Sequence, residues 1–265
     1  MFSVTNKEVI GKIKKVKRHL EYVFHRIIPE KKISKQQAEL DFWGTLYNEI
    51  AKAPRTVDVF QRISSSFPLE KRKEFHLIGE RWAHLDIRQR LLELGRTISF
   101  PRYKNDFNIG DNDFAGKCVL DVGCGAMGAL TWFESEFRVG VDELIIEYQK
   151  IGYPLDAHPI LYVKGVAEDL PFPDSQFDVV ISINALDHVE NFETAISEIH
   201  RVLKSDGKIY LNFNYQSKPT TTEPIVLSDE RVERALFPYF IFTKVKSETT
   251  EFAYSKNCYH GSVRK

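Results

Sequence analysis

No run of apolar residues in this 265-residue sequence approaches the ~20 needed to cross a bilayer, the longest being short stretches such as 235–242. The amino terminus, MFSVTNKEVIGKIKKVK, has neither an apolar h-region nor a small-residue cleavage site, so no secretory leader is expected and a cytoplasmic location is. Cysteine is scarce. Cys118, Cys124 and Cys258 make neither a disulfide framework nor a C-x-x-C knuckle, and no metal site is expected. Internal repeats and low-complexity tracts are absent. Net charge is absent too, with 37 Lys+Arg against 37 Asp+Glu. What is present is apolar material: 43% hydrophobic and 12% aromatic residues exclude a disordered chain. The length suffices for one large domain, or for a catalytic domain with an appendage.

The zero net charge hides a split. Residues 1–105 hold 22 Lys+Arg and 12 Asp+Glu, and residues 106–265 hold 15 and 25, balances of +10 and −10. Two regions are expected: a helical extension or lid over 1–105 and a catalytic domain over 106–265, joined where PRYKNDFNIGDNDFAG strings together turn formers. In the first region apolar residues recur at three- and four-residue steps. A helix is expected over 7–28, ended by Pro29. A second opens on Ser34 with Gln37 three positions on and carries Leu40, Trp43, Tyr47 and Ile50 on one face. A short helix is expected over 56–64, and a longer one over 69–94 stopped by Gly95. Lys12, Lys14, Lys15, Lys17 and Arg18 flank the stripe of the first helix. It could rest on an anionic membrane surface, or simply pack its apolar face on the next helix.

After residue 106 short β-branched runs alternate with helical segments. Strands are expected at Cys118–Val122, 137–141, 161–165, Phe177–Ile183 and 208–213, with helices near 128–136, 144–151 and 192–203. Such alternation implies right-handed crossovers and a parallel sheet covered on both faces. Runs 239–246 and 251–259 read as a closing antiparallel hairpin. The fold class is therefore α/β: a Rossmann-like, mostly parallel sheet with an antiparallel C-terminal hairpin, plus an all-helical N-terminal region.

Ligands of these sheets sit beyond the carboxyl ends of the strands. After the first run comes Asp121-Val122-Gly123-Cys124-Gly125-Ala126-Met127-Gly128, whose glycines allow a tight turn and close approach of the backbone to a ligand. By itself the glycine spacing fits NAD, FAD or an adenosyl ligand. Asp121 tips the balance: a carboxylate there repels a pyrophosphate but suits the ammonium of S-adenosylmethionine (SAM). Asp142, 19 positions beyond Gly123, is placed to hold ribose hydroxyls in either case.

The ordered set VLDVGCGAMG, VGVD, GVAEDLPFPDSQFDVVIS and NALDHVENFETAISEIHRVLKSDGKIYLNF resembles the class I SAM-dependent methyltransferases, in the branch that includes ubiquinone-biosynthesis and other small-molecule enzymes. The resemblance spans about residues 117–213 and does not reach 1–105. It implies SAM as methyl donor, with Asp121, Gly123 and Gly125 along the methionine and ribose side and Asp142 on the ribose. It places Glu143 or Leu144 beside the adenine, Val166 and Ala167 at the adenine edge, and Asn184 by the methionine moiety. Cys124 falls within the same cofactor loop and reads as a small packed residue rather than a nucleophile. One departure stands out: Val166 occupies a position commonly held by Asp or Asn, so Glu168, Asp169 or a backbone carbonyl must meet the adenine amino group.

Methyl transfer from a sulfonium needs alignment and dryness more than acid–base help, but a hydroxyl acceptor benefits from a base. His188, with Asp187 beside it, follows the fourth strand and is the candidate; a loop-ordering role is the competing reading. For the acceptor the sequence offers the loop 214–224 with Tyr215, and a lid over 69–105 carrying Trp82, Arg81, Arg88, Arg102 and Tyr103. Aromatic and arginine content leans towards a small polar acceptor, a saccharide or lipid-linked saccharide. Nucleic acid is less favoured, because no N-P-P-[FYW]-type motif is present, and a protein acceptor stays open. Two readings outside methyl transfer are an NAD-dependent oxidoreductase, which Asp121 opposes, and a non-catalytic SAM-fold binding protein. Oligomeric state is not read from this sequence.

Overall fold

A computed structural model of the chain describes residues 34–51, 84–249 and 255–265. The basic helix expected over 7–28, the short helix at 56–64, and Arg81 and Trp82 lie outside the described residues.

The described chain opens with helix α1 (Lys35–Ala51), where the Ser34 hydroxyl accepts the Gln37 amide N–H at 3.2 Å, as the capping spacing implied. Next comes α2 (Ile87–Leu94), opened by a reciprocal Asp86–Gln89 capping box. Gly95 does not stop it. The backbone stays right-handed through a wide turn at Gly95–Ser99, which accommodates the missing N–H of Pro101, and continues as α3 (Phe100–Phe107). The stretch that read as turn formers thus begins inside a helix, which ends at Asn108 in the left-handed conformation. Gly95 is used for contact instead: a Cβ there would lie 2.2 Å from the Met127 carbonyl oxygen.

Strands β1 (Cys118–Val122), β2 (Phe137–Asp142), β3 (Leu161–Lys164), β4 (Phe177–Ile183) and β5 (Leu203–Tyr215) run parallel. β6 (Phe240–Thr249) and β7 (Ser255–Val263) close the sheet antiparallel, in the order β3-β2-β1-β4-β5-β7-β6. The order reverses between β1 and β4, which opens a crevice at their carboxyl ends. Helices α4 (Ile145–Ile151) and α5 (Phe192–Val202) fall where expected. The helix expected over 128–136 shrinks to a single tight turn, Ala129–Trp132, because Phe133 turns extended and is buried, while Arg138 binds the Leu130 and Phe133 carbonyls. A short helix α6 (Asp229–Leu236), absent from the expectations, buries Val232, Ala235 and Leu236.

Two apolar layers hold the sheet. On α5, Phe192, Ala195, Ile196, Ile199 and Val202 recur at helical spacing and are fully buried against Val180, Ile209 and Leu211. Arg201 on the same helix clamps the LPFP loop, binding the Leu170 and Phe172 carbonyls along with Glu198 and Asp174. On the other face Val119, Val179 and Ile181 pack with Tyr103 and Phe107 of α3 and with Phe114 and Phe133. A further cluster sets the apolar face of α1 on α4: the Trp43 ring stands edge-on to Tyr148 and Tyr153, and the Tyr153 hydroxyl binds the Trp43 carbonyl. No helix among the described residues is long and apolar enough to cross a membrane.

Candidate functional site

A cleft of about 870 Å³ lies over the carboxyl ends of β1, β2 and β4, roofed by α1. Its floor carries Gly123, Gly125, Asp142 and Asn184, and its roof Lys35, Gln36, Glu39, Phe42 and Trp43. Gly123 and Gly125 adopt φ values of +70° and +59° that only glycine takes without strain. Gly123 also has no room for a side chain, since a Cβ would sit 2.2 Å from that of Ala185.

Asp142 ends β2 and accepts the amide N–H groups of Leu144 at 2.9 Å and Gly125 at 3.0 Å. Burial pushes its carboxyl up to about 6, against the lowering effect of those two bonds. Asp121, next to last in β1, is 1% exposed and does not line the cleft. Its Oδ2 accepts the Tyr103 hydroxyl at 2.9 Å, while its Oδ1 has no hydrogen-bond partner. Burial raises its carboxyl to about 7; the Tyr103 bond pulls it down and nearby Asp142 pushes it up. Tyr103, expected to meet an acceptor, is thus buried and bound to Asp121 instead. Cys124 is buried against Gly140, in keeping with a packed residue, and does not line the cleft.

Val166 and Ala167 line the far end of the cleft, next to Glu143 and Glu168. Glu168 is not free to serve an adenine amino group through Oε1, which accepts the Glu190 and Asn191 amides at 2.8 and 3.2 Å. Glu143 receives Lys35 at 3.0 Å and Gln36 at 2.8 Å. Burial would raise its carboxyl, but those contacts outweigh it and hold the group below the usual range.

At the other end Asn184 sits in the left-handed conformation and accepts the Asn214 side-chain amide. Asp187 is 1% exposed; its Oδ2 accepts the Asn214 backbone N–H at 3.1 Å and its Oδ1 has no partner. Desolvation raises its carboxyl. His188 lines the cleft, with Nδ1 3.3 Å from Glu39 and Nε2 3.7 Å from Glu223. Burial lowers the imidazole pKa, but Glu39, Asp187 and Glu223 together leave it raised.

The structure therefore gathers Gly123, Gly125, Asp142, Glu143, Val166, Ala167, Glu168, Asn184 and His188 into one cleft. It does not bring Arg88, Tyr103 or Tyr215 there, although Thr222 of the expected acceptor loop 214–224 does line the cleft. Arg88 is exposed and paired with Asp156 at 2.8 Å. The Tyr215 hydroxyl is tied to that of Tyr259 at 2.9 Å, and neither residue lines the cleft. The described part of the expected 69–105 lid packs behind the glycine loop, through Gly95, rather than over the cleft. The roof is α1. Lys35, Gln36, Glu39, Phe42 and Trp43 follow helical spacing on a face beside its apolar stripe, a signal present in the sequence. Glu223 lies on the loop 214–224 that the sequence offered for the acceptor, and it stands 3.7 Å from His188.

A family model described as a methyltransferase domain matches residues 120–211. Residues 120–211 are a methyltransferase domain. A fatty-acid O-methyltransferase of Mycolicibacterium smegmatis is 34% identical over 102 residues, covering 36% of each chain. A sterol 24-C-methyltransferase of Pneumocystis carinii is 33% identical over 107 residues, covering 38% of this chain and 28% of its own. The chain thus spans about a third of the length of these curated relatives. An S-adenosylmethionine-dependent methyltransferase structure from Mesorhizobium loti, 14% identical, superposes with a TM-score of 0.50 over 61% of this chain and 96% of that one, and shares the fold. The sheet shares the fold of that SAM-dependent methyltransferase structure, and SAM is the ligand against which the site is tested. The residues lining the cleft fit that ligand: Gly123 and Gly125 at positive φ and Asp142 on the next strand, with a buried, partnerless carboxylate oxygen on Asp121 just before the glycine turn.

Proposed function

We propose that the chain moves the sulfonium methyl of SAM to a small polar acceptor through a hydroxyl group. The carrying observation is that one cleft joins Gly123, Gly125, Asp142 and Asn184, read as the cofactor end, to His188 and Thr222, read as the acceptor end. SAM supplies a methyl group already activated for in-line displacement, so the chain's task is alignment and exclusion of water. Asp121 would hold the ammonium, Asp142 the ribose hydroxyls, Glu143, Val166 and Ala167 the adenine surroundings, and Asn184 the methionine side; Cys124 supports the loop by packing. Phe42 and Trp43 on α1 cover the cleft and limit water entry. Asp187 and His188 are the groups placed to handle the acceptor's proton, with Glu39 orienting the imidazole through Nδ1.

A hydroxyl of a saccharide or lipid-linked saccharide is the finer reading, supported by Thr222 and His188 along the wall. Glu39, Asp187 and Glu223 disfavour an anionic acceptor, which counts against a fatty-acid carboxylate and against nucleic-acid phosphates. The domain assignment of 1–105 as extension and 106–265 as catalytic unit belongs to the same proposal. The test is incubation with methyl-labelled SAM and fractionated extract, with identification of the product. Label on a neutral hydroxyl compound supports the reading; label on a carboxylate or a nucleic acid, or none at all while a dinucleotide binds, sinks it.

A further inference from the structure

We propose that Asp187, His188 and Glu223 form a binding site for a divalent first-row transition ion at the acceptor end of the cleft. A carboxylate oxygen from each acid and a ring nitrogen of His188 all lie within 4.8 Å of one another. His188 Nε2 and Glu223 Oε1 are 3.7 Å apart. Ligands of one such ion, with bonds of about 2.0–2.2 Å, stand about 3 Å or slightly more from each other, so modest side-chain rotation closes the set.

An acidic cluster alone would not suffice. What points to an ion is that the donors are left over after the protein has satisfied everything else. Asp187 is 1% exposed; its Oδ2 accepts the Asn214 N–H, and its Oδ1 has no hydrogen-bond partner. His188 repeats the pattern: Nδ1 faces Glu39, and buried Nε2 has no hydrogen-bond partner. A histidine that donates one ring nitrogen to a carboxylate and turns the other outward is the usual support for a metal ligand. Three carboxylates, those of Glu39, Asp187 and Glu223, converge here against the imidazole and the field of Arg102, whose own guanidinium stands 3.9 Å from Asp106. A buried excess of negative charge is relieved by a cation. The imidazole with two carboxylates suits Mn²⁺ or Zn²⁺ better than Ca²⁺.

This deepens the methyl-transfer reading and rests on it only for the ion's role. An ion at this place would coordinate the acceptor hydroxyl and lower its pKa so that the proton leaves to solvent; in the ion-loaded protein Asp187 and His188 serve as ligands, and the proton-handling role given them above belongs to the ion-free protein.

The site is tested without SAM. The full chain, stripped with chelator, is titrated calorimetrically with MnCl₂ and with ZnCl₂, and Mn²⁺ binding is followed by electron paramagnetic resonance. A single ion per chain is expected, with affinity reduced about tenfold or more in Asp187→Asn and in Glu223→Gln, and by a similar factor in Glu39→Gln. SAM titration of each variant checks folding; should Asp187→Asn fail to fold, the loop variant Glu223→Gln decides. Absence of stoichiometric binding by both ions, or binding unchanged by Glu223→Gln, overturns the proposal. Failure to bind either ion in protein that binds SAM sinks the metal site alone, whereas ion binding without SAM binding supports the site and sinks the methyl-transfer reading.

Discussion

Acidification through neutrality should loosen SAM binding, and the cause is a single buried carboxylate. Asp121 is held at about 7 because burial disfavours its charge, and on the proposed reading the ammonium of SAM needs that charge. The ionised fraction falls from about 0.9 at pH 8 to about 0.1 at pH 6, so Kd should rise ~tenfold over that interval. Stability without ligand runs the opposite way. The folded-state pKa lies above the solvent value of 3.8, so the protonated folded form is favoured. That stabilisation is complete below about pH 4 and is lost as pH climbs to 7, a swing on the order of 4 kcal/mol. Asp142, raised to about 6, adds in the same direction.

Tyr103 supplies the leverage. Its hydroxyl donates to Asp121 Oδ2 at 2.9 Å in a fully buried setting. A hydrogen bond to a charged group contributes about 1.5–3 kcal/mol, equivalent to one or two pH units. Tyr103→Phe should therefore shift the binding midpoint upward by that amount and weaken SAM binding at pH 7 by roughly five- to fiftyfold. Isothermal titration at half-unit steps from pH 5.5 to 8.5 reads both effects. Asp121→Asn serves as control, because it removes this carboxylate's titration and leaves those of Asp142, His188 and the ligand. If wild type and Asp121→Asn show the same pH profile, the reasoning fails.

Gly95→Ala gains up to about 1 kcal/mol of helix propensity, yet its methyl group would meet the rigid Met127 carbonyl at 2.2 Å. A net loss of about 1–2 kcal/mol is expected in urea unfolding, and a gain would refute the contact. His188→Ala should cut turnover about a hundredfold or more while leaving the Kd for SAM nearly unchanged, checked by steady-state assay beside calorimetry. Lys35→Ala removes a contact to Glu143, and because that pair is partly exposed the fold should lose under ~1 kcal/mol. A tryptophan-fluorescence change on SAM addition would show whether α1 still roofs the cleft in that variant. Ile199→Ala, at a site with no exposure, should cost about 2–5 kcal/mol; a smaller loss would mean that α5 is packed less tightly than described.

Much of the architecture was legible locally. Cys118–Val122 and Phe177–Ile183 appear as the strands their apolar runs implied, because a strand buried on both faces leaves an uninterrupted record in the chain. The glycine turn proposed to hold the cofactor was legible as geometry: Gly123, Gly125 and Asp142 act through backbone conformation and short-range position, which spacing reports. Local pattern misled where a distant contact overrode it. Gly95 looked like a helix stop, but its bare face is used against Met127. Tyr103 looked like an acceptor contact until the fold set it on Asp121. Only tertiary structure decided the acceptor end and the roof. Glu39 meets His188 across 149 positions and Lys35 meets Glu143 across 108, pairings that arise because α1 packs its apolar face on α4. A polar residue on such a helix reads as solvent-facing from its neighbours alone. What it faces is set by a surface far away in the chain, and short-range spacing carries no record of that.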